Sequence, residues 1–199
     1  RKAPRHSVQE AFQPGAVLPK SAALAEFEAT VHERYRSLYQ SDADYKEKRR
    51  ILAGLRREDD ELFREYAMDW FLYAREPECS AREKFVLFLQ DVFVVERSKV
   101  QISYALHNLQ QTLRAGTTLD YPELCKQVSK QPAMVRYLDL VENTARKPNE
   151  NFARELFELF TLGEGNYTEA DIKEASRAFT GYRIKDRTDF FFQKNLHDK

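Results

Sequence analysis

PNENFARELFELFTLG, residues 148–163, is the stretch that decides the fold class of this chain. On a helical wheel, the apolar side chains of its central part share one face. The polar side chains gather on the opposite face: Asn151, Arg154, Glu155 and Glu158. Gly163 follows the last apolar residue, and glycine commonly closes a helix because it adopts the left-handed conformation. The spacing therefore predicts an amphipathic helix from residue 151 to residue 162.

Helical spacing of apolar residues recurs along most of the chain from residue 21 onwards. After Gly181 the pattern shortens to two extended segments, residues 183–185 and 189–193, which can pair as a hairpin. We therefore predict an all-α, irregular multi-helix domain of about seven to nine helices with a short extended or hairpin-like C-terminal segment. Residues 1–20, rich in proline, predict an extended arm or linker, and residues 21–199 a single helical domain.

Two local predictions concern the middle of the chain. Ser80 and Glu83 have the spacing of a capping box, in which each side chain bonds a backbone amide at the start of a helix. The run 85–95 that follows is apolar nearly all round, which is typical of a helix buried in the middle of a domain.

Composition excludes several classes of function. The 199 residues include 32 Lys and Arg against 32 Asp and Glu, so no net charge favours general nucleic-acid binding. The longest apolar run, residues 85–95, is shorter than the ~20 residues that a membrane span needs. The two cysteines, Cys79 and Cys125, define neither a disulfide framework nor a redox compartment.

The motif at 148–163 resembles the signature of a large bacterial family, the domain of unknown function numbered eighteen hundred. Two continuations of the sequence strengthen the resemblance, YTEAD at 167–171 and AFTGY at 178–182. The resemblance is strong from about residue 81 to residue 198 and corresponds to the N-terminal to central part of the family.

What the resemblance implies is a helical, often exported or periplasmic bacterial protein that is longer than this chain. Family members commonly accompany proteins similar to sulfatases and alkaline phosphatases, so it also implies a sulfatase-like or phosphatase-like partner. No catalytic residue is carried over. The chain departs from the family at residues 88–93, where many members have a histidine-rich cluster. It stops at Lys199, inside a family motif, which predicts a fragment truncated at its C-terminal end.

The polar face of the 151–162 helix is the candidate ligand-binding site, together with His197 and Asp198 if the terminal segment folds back. Carboxylates with a histidine can hold a divalent metal ion or act as an acid and a base. The structural alternative is an Arg154–Glu158 ion pair along the helix, with Glu155 bracing a neighbouring helix.

Two hypotheses for function follow from these features. The first is a helical scaffold or binding module of a larger exported protein, without catalytic activity. The alternative is a metal-dependent or acid–base hydrolase-like enzyme whose site is completed by residues beyond 199. The first would leave the polar residues engaged with one another, whereas the second requires them to converge on one pocket.

Overall fold

The computed structural model describes residues 17–185, 187 and 189–199. Within these residues the chain forms nine α-helices, a π-helical segment, two short 3-10 turns and one hairpin. The helices are α1 (Ala22–Gln40), α2 (Tyr45–Arg75), α3 (Pro77–Val92), α4 (Arg97–Val100), α5 (Ser103–Gly116), α6 (Tyr121–Val128), α7 (Pro132–Tyr137), α8 (Asn151–Glu155) and α9 (Glu169–Ala178). The strands are β1 (Tyr182–Lys185) and β2 (Asp189–Phe192). The all-α prediction with a hairpin-like C-terminal segment is confirmed.

Helix starts follow local side-chain chemistry. Ser21 and Asp44 each accept a hydrogen bond from a backbone amide in the first turn of α1 and α2. Thr168 and Asp171 form a capping box at the start of α9, each bonding the backbone amide of the other. These amides would otherwise lack partners, so the caps fix where each helix begins.

The capping box predicted at Ser80 is wrong. Helix α3 begins three residues earlier, at Pro77, because proline suits the first turn, where its missing N–H is not needed. Glu83 therefore lies inside the helix, where it is 1% exposed. The prediction of burial all round is also wrong, since α3 ends at Val92 and leaves Leu87 and Phe88 each 55% exposed.

The helix predicted over 151–162 divides into two parts. Helix α8 ends at Glu155, and the next six residues, Leu156–Thr161, form a π-helix. The amide of Leu162 donates to the carbonyl of Phe157 at 2.8 Å, five residues back. A π-turn inserts extra backbone, so side chains after Glu155 no longer follow the 3.6-residue period.

Helix α5 lies at the centre of the packing, with α1, α2, α3, α4, α6 and α7 against it. Its buried residues include Tyr104 and Leu113, which belong to one continuous hydrophobic core. Leu18 joins that core, and its carbonyl accepts a hydrogen bond from Gln111 at 2.6 Å. Most of the predicted arm, residues 1–16, lies outside the described residues. No described helix is both long enough and apolar enough to cross a membrane.

The hairpin is fixed at its base and reaches across the domain at its tip. Gly181, at a φ of +85°, donates its amide to the carbonyl of Asn143 and accepts from the amide of Gln193 at 2.8 Å. Strand β1 packs against α7. At the tip, the guanidinium of Arg187 lies 4.3 Å from the ring centre of Tyr35 on α1.

Candidate functional site

Arg154 is held by a helix other than its own. Its guanidinium donates two hydrogen bonds to the Glu169 carboxylate of α9, at 3.0 and 2.8 Å, and a longer one to Glu150 at 3.4 Å. The predicted Arg154–Glu158 pair is therefore wrong. The physical reason is that Glu169 offers the guanidinium both carboxylate oxygens, a stronger geometry than one contact along a helix.

Glu158 has a different partner, the hydroxyl of Tyr167, which donates to it at 2.9 Å. Burial raises the pKa of Glu155, and the negative charge of Glu158 raises it further. Asn151 begins α8 and donates its amide to the side chain of Asn149 at 3.0 Å. The structure thus brings two of the predicted carboxylates together on this surface.

His197 and Asp198 lie in a second group of polar contacts, apart from the group around Arg154 and Glu158. The Nδ1 atom of His197 is 3.1 Å from the hydroxyl of Thr180, and its ring stands edge-on to Phe192. Asp198 accepts a hydrogen bond from Nε of Arg177 at 2.6 Å, and this guanidinium lowers the pKa of Asp198. Both residues therefore hold the C-terminal segment against the end of α9.

Helix α9 separates the two groups. Glu169, which holds Arg154, is in its first turn, and Arg177, which holds Asp198, is in its last. Eight residues of α-helix span ~12 Å, so these contacts anchor the groups at opposite ends of the helix. In the described part of the chain, no cluster of three or more His, Cys, Asp or Glu side chains could hold a metal ion.

A different feature has the shape of a binding site. A cavity of about 170 Å³ lies between α1, α2, α4, the start of α5 and the tip of the hairpin, and we call it the α1–hairpin cavity. Its apolar and aromatic lining consists of Phe27, Val31, Tyr35, Ile102 and Tyr104. Its polar lining consists of Arg56, Asp59, Asp60, Arg97, Ser98, Gln101 and Arg187.

Tyr104 is the most deeply buried aromatic residue near the hairpin tip. It is 1% exposed, and its hydroxyl is closed to solvent. Burial raises the pKa of Tyr104 to about 12, although the positive charge of Arg187 and a hydrogen bond with that residue oppose the shift. The hydroxyl is therefore protonated at neutral pH, and its interaction is with Arg187 at the tip of the hairpin.

Both acidic side chains of the cavity lining already have hydrogen-bond partners. Arg97 donates from one nitrogen to Asp59 at 2.6 Å and to Asp60 at 2.7 Å. The other oxygen of Asp59 accepts from the amide and hydroxyl of Ser103, at 2.9 and 2.8 Å. These bonds leave little negative charge uncompensated, and they hold α2 against the start of α5.

Not all basic side chains of the cavity lining have a carboxylate partner. Neither Arg56 nor Arg187 forms an ion pair with a carboxylate of the described residues. Arg136 of α7 adds to the positive charge near the hairpin tip, and its buried Nε has no hydrogen-bond partner among them. Burial lowers the pKa of Arg136, and the nearby charge of Arg187 lowers it further. Among the described residues, the cavity lining thus holds three arginines against two aspartates.

Backbone strain is concentrated at the same place. Of the described residues other than glycine, three have a positive φ, and two of them, Gln101 and Arg187, line the cavity. Left-handed backbone costs energy for side chains of this kind, and such strain clusters at functional sites.

A buried polar network joins α2 and α3 to α5. Arg114 of α5 donates two hydrogen bonds to the carboxylate of Glu83 on α3, both at 2.7 Å, and the indole of Trp70 on α2 donates a third at 2.8 Å. The hydroxyl of Tyr66 on α2 donates to Gln110 of α5. These bonds hold three helices of the core together.

Sequence patterns single out neither Tyr104 nor Arg187. Tyr104 resembles any other aromatic residue of a helix, and only the fold buries its hydroxyl beside Arg187. The one local signal for Arg187 is its place at the turn of a hairpin without glycine. That signal does not reveal where the tip docks.

Comparison with known proteins gives one match. The sequence profile of the family described as "Protein of unknown function (DUF1800)" matches residues 1–199 of the chain. The resemblance carried by the motif is thereby confirmed, and the match extends over the residues before 81 as well. No curated protein and no solved structure matches the chain.

Proposed function

The chain belongs to the DUF1800 family, a family of unknown function, and we propose that it is a helical binding module whose ligand enters the α1–hairpin cavity. The observation that carries this proposal is the cavity itself, which has a volume of about 170 Å³ and the side chains of Phe27, Tyr35 and Tyr104 in its wall. Two of its lining residues, Gln101 and Arg187, have left-handed backbone, and such strain clusters at functional sites.

The wider setting of this module follows the family resemblance. We propose that it lies in a larger exported protein and acts beside a sulfatase-like or phosphatase-like partner. A module of this kind needs no catalytic residue of its own, and the engagement of Arg154, His197 and Asp198 in structural contacts supports a non-catalytic role.

An apolar probe tests the proposal. An engineered cavity of about 150 Å³ binds benzene, and the α1–hairpin cavity has about 170 Å³ and three aromatic side chains in its lining. We therefore expect benzene at about ten times its Kd to stabilise the protein by about 1.4 kcal/mol, a rise of about 3–6 °C in Tm, because a ligand stabilises the state that binds it. Val31→Phe, which adds a ring to the cavity wall, should lose this rise.

The matched control is Val17→Phe. Val17 is 61% exposed and lies outside the cavity lining, so the same substitution there should leave the response to benzene unchanged. Each variant is compared with its own melt without benzene. No rise in the wild type, or a rise that Val31→Phe retains, would contradict a ligand site in this cavity.

The hydrolase-like alternative has one observation in its favour, the closeness of Glu155 and Glu158 with the raised pKa of Glu155. It is tested by melting the protein with and without Mg²⁺, Mn²⁺ and Zn²⁺, beside the Glu155→Gln and Glu158→Gln variants. A binding module of the kind proposed should melt at the same temperature with and without each metal ion. A metal-dependent rise in Tm that both variants lose would favour the enzyme instead, because a ligand stabilises the state that binds it.

A further inference from the structure

Residues 17–20 lie against the domain ahead of helix α1, and we call them the strap. Leu18 is 4% exposed and belongs to the hydrophobic core. Its carbonyl accepts a hydrogen bond from Nε2 of Gln111 on α5 at 2.6 Å. Lys20 forms an ion pair with Glu28 of α1. These contacts hold the strap against α1 and α5.

The side-chain amide of Gln111 has one possible orientation. Its oxygen accepts a hydrogen bond from Arg114 at 2.7 Å, so its NH2 group is the end that faces Leu18 and His107. That nitrogen lies 3.1 Å from Nε2 of His107. Because an amide nitrogen only donates, Nε2 of the ring must accept. The imidazole in this arrangement is therefore neutral, with its proton on Nδ1.

The other side of the ring agrees with this assignment. Nδ1 of His107 lies 3.4 Å from the side-chain oxygen of Asn108. The NH2 group of Asn108 donates to the carboxylate of Glu28 at 2.9 Å, which leaves its oxygen to accept from the histidine. The same carboxylate holds Lys20 of the strap. One network thus joins the neutral histidine to both polar contacts of the strap.

The surroundings of His107 disfavour a positive charge on it. The residue is 3% exposed, and burial lowers its pKa, with the charges of Lys20 and Arg114 lowering it further. Hydrogen bonds with Asn108 and with the carbonyl of Leu18 oppose this shift without reversing it. The charged and titratable groups around the ring are Lys20 of the strap, Glu28 of α1, Tyr66 of α2, Arg114 of α5, and Glu83 of α3 through Arg114.

A proton on Nε2 of His107 would place two hydrogen-bond donors against each other. The NH2 group of Gln111 could no longer donate to the ring, and the same group holds the carbonyl of Leu18. The added charge would also be buried near the ammonium group of Lys20. Both costs fall when the strap leaves, because water then reaches the ring.

We propose that His107 and Gln111 form a clamp on the strap that is closed while the histidine is neutral and opens when it takes up a proton. Acid favours the open form, because the closed form binds the proton less well. The ordinary pKa of histidine is about 6.5. Below about pH 6.5 the ratio of open to closed strap should therefore rise, by up to about tenfold per pH unit. This device does not depend on a ligand in the α1–hairpin cavity.

Limited proteolysis of the full chain measures the open fraction, because a protease cleaves a segment that has left the folded domain. Cleavage by proteinase K within residues 17–20 is followed by mass spectrometry at about pH 7.5 and about pH 5. An unstructured peptide in the same tube corrects for the activity of the protease at each pH. We expect the corrected rate of the wild type to rise about tenfold or more in acid.

Two variants assign this rise to the clamp, and a third is the control. His107→Gln keeps a side chain that can accept from Gln111 but cannot take up a proton, so its rate should rise less than about twofold. Gln111→Ala removes the hydrogen bond to the strap, so cleavage should already be about fivefold faster than in the wild type at about pH 7.5. His32→Gln removes a histidine of α1 in the same way and should keep the wild-type rise.

Three results would overturn the clamp. The first is a wild-type rate that does not rise in acid, and the second is an equal rise in His107→Gln. The third is a Gln111→Ala strap that is cleaved no faster than the wild-type strap at neutral pH. This last variant leaves the histidine in place, so it decides the matter even if His107→Gln does not fold.

Discussion

The Glu83→Gln variant is expected to lose about 3–5 kcal/mol of unfolding free energy, because it leaves the buried guanidinium of Arg114 without its counter-charge. The two side chains are 1% and 4% exposed, and two hydrogen bonds join them. Glutamine has nearly the volume of glutamate, so the loss reports the charge and not a cavity. Urea denaturation measures it directly.

Two further variants show whether the loss of stability comes from the buried charge. Glu58 also pairs with an arginine, Arg34, but both side chains are about 40% exposed, so Glu58→Gln should cost at most about 1 kcal/mol. Combining Glu83→Gln with Arg114→Met removes the hydrogen-bonded buried pair and leaves the buried charge of Arg82, whose Nε lies 3.6 Å from Glu83. It should cost less than Glu83→Gln alone, because one uncompensated charge remains instead of two. A Glu83→Gln protein as stable as the wild type would contradict the burial of this pair.

The Gly181→Ala variant is expected to lose about 2–4 kcal/mol, for two reasons that add. Its φ of +85° favours glycine, since other residues there cost about 1–2 kcal/mol. A Cβ atom would also lie 2.8 Å from the carbonyl oxygen of Gln193, so the backbone at the base of the hairpin must shift. That shift would also move the tip, and with it Arg187.

Gly165→Ala separates the two causes. Gly165 has nearly the same φ, +81°, but a Cβ there would meet no atom within 4 Å. It should therefore cost about 1–2 kcal/mol, the conformational part alone. Equal losses for the two variants, measured by urea denaturation, would show that the hairpin base tolerates the added atom and would contradict the close packing.

Much of the fold could be predicted because its signals are local. The apolar period and the caps act within one or two turns, and Thr168 with Asp171 illustrates this: the cap was predictable from spacing and is present. The same kind of reasoning failed at Ser80 and Glu83. A glutamate three residues after a serine fits a capping box, but here a partner 31 residues away, Arg114, determines its position.

The candidate site was harder to predict because its parts meet only in the folded chain. Arg154 and Glu158 have the spacing of a helical ion pair, but a second helix offers Arg154 a better partner in Glu169. The α1–hairpin cavity exists because a hairpin tip docks on α1, and nothing in the sequence around Arg187 encodes that destination. The burial of the Tyr104 hydroxyl beside Arg187 is likewise a property of the packed core.

A crystal structure of the chain soaked with benzene would test the central claim most directly. We predict benzene in the α1–hairpin cavity, with its ring beside the aromatic side chains of Tyr35 and Tyr104. An empty cavity at a benzene concentration that raises the Tm in solution, or benzene bound only elsewhere in the protein, would contradict it.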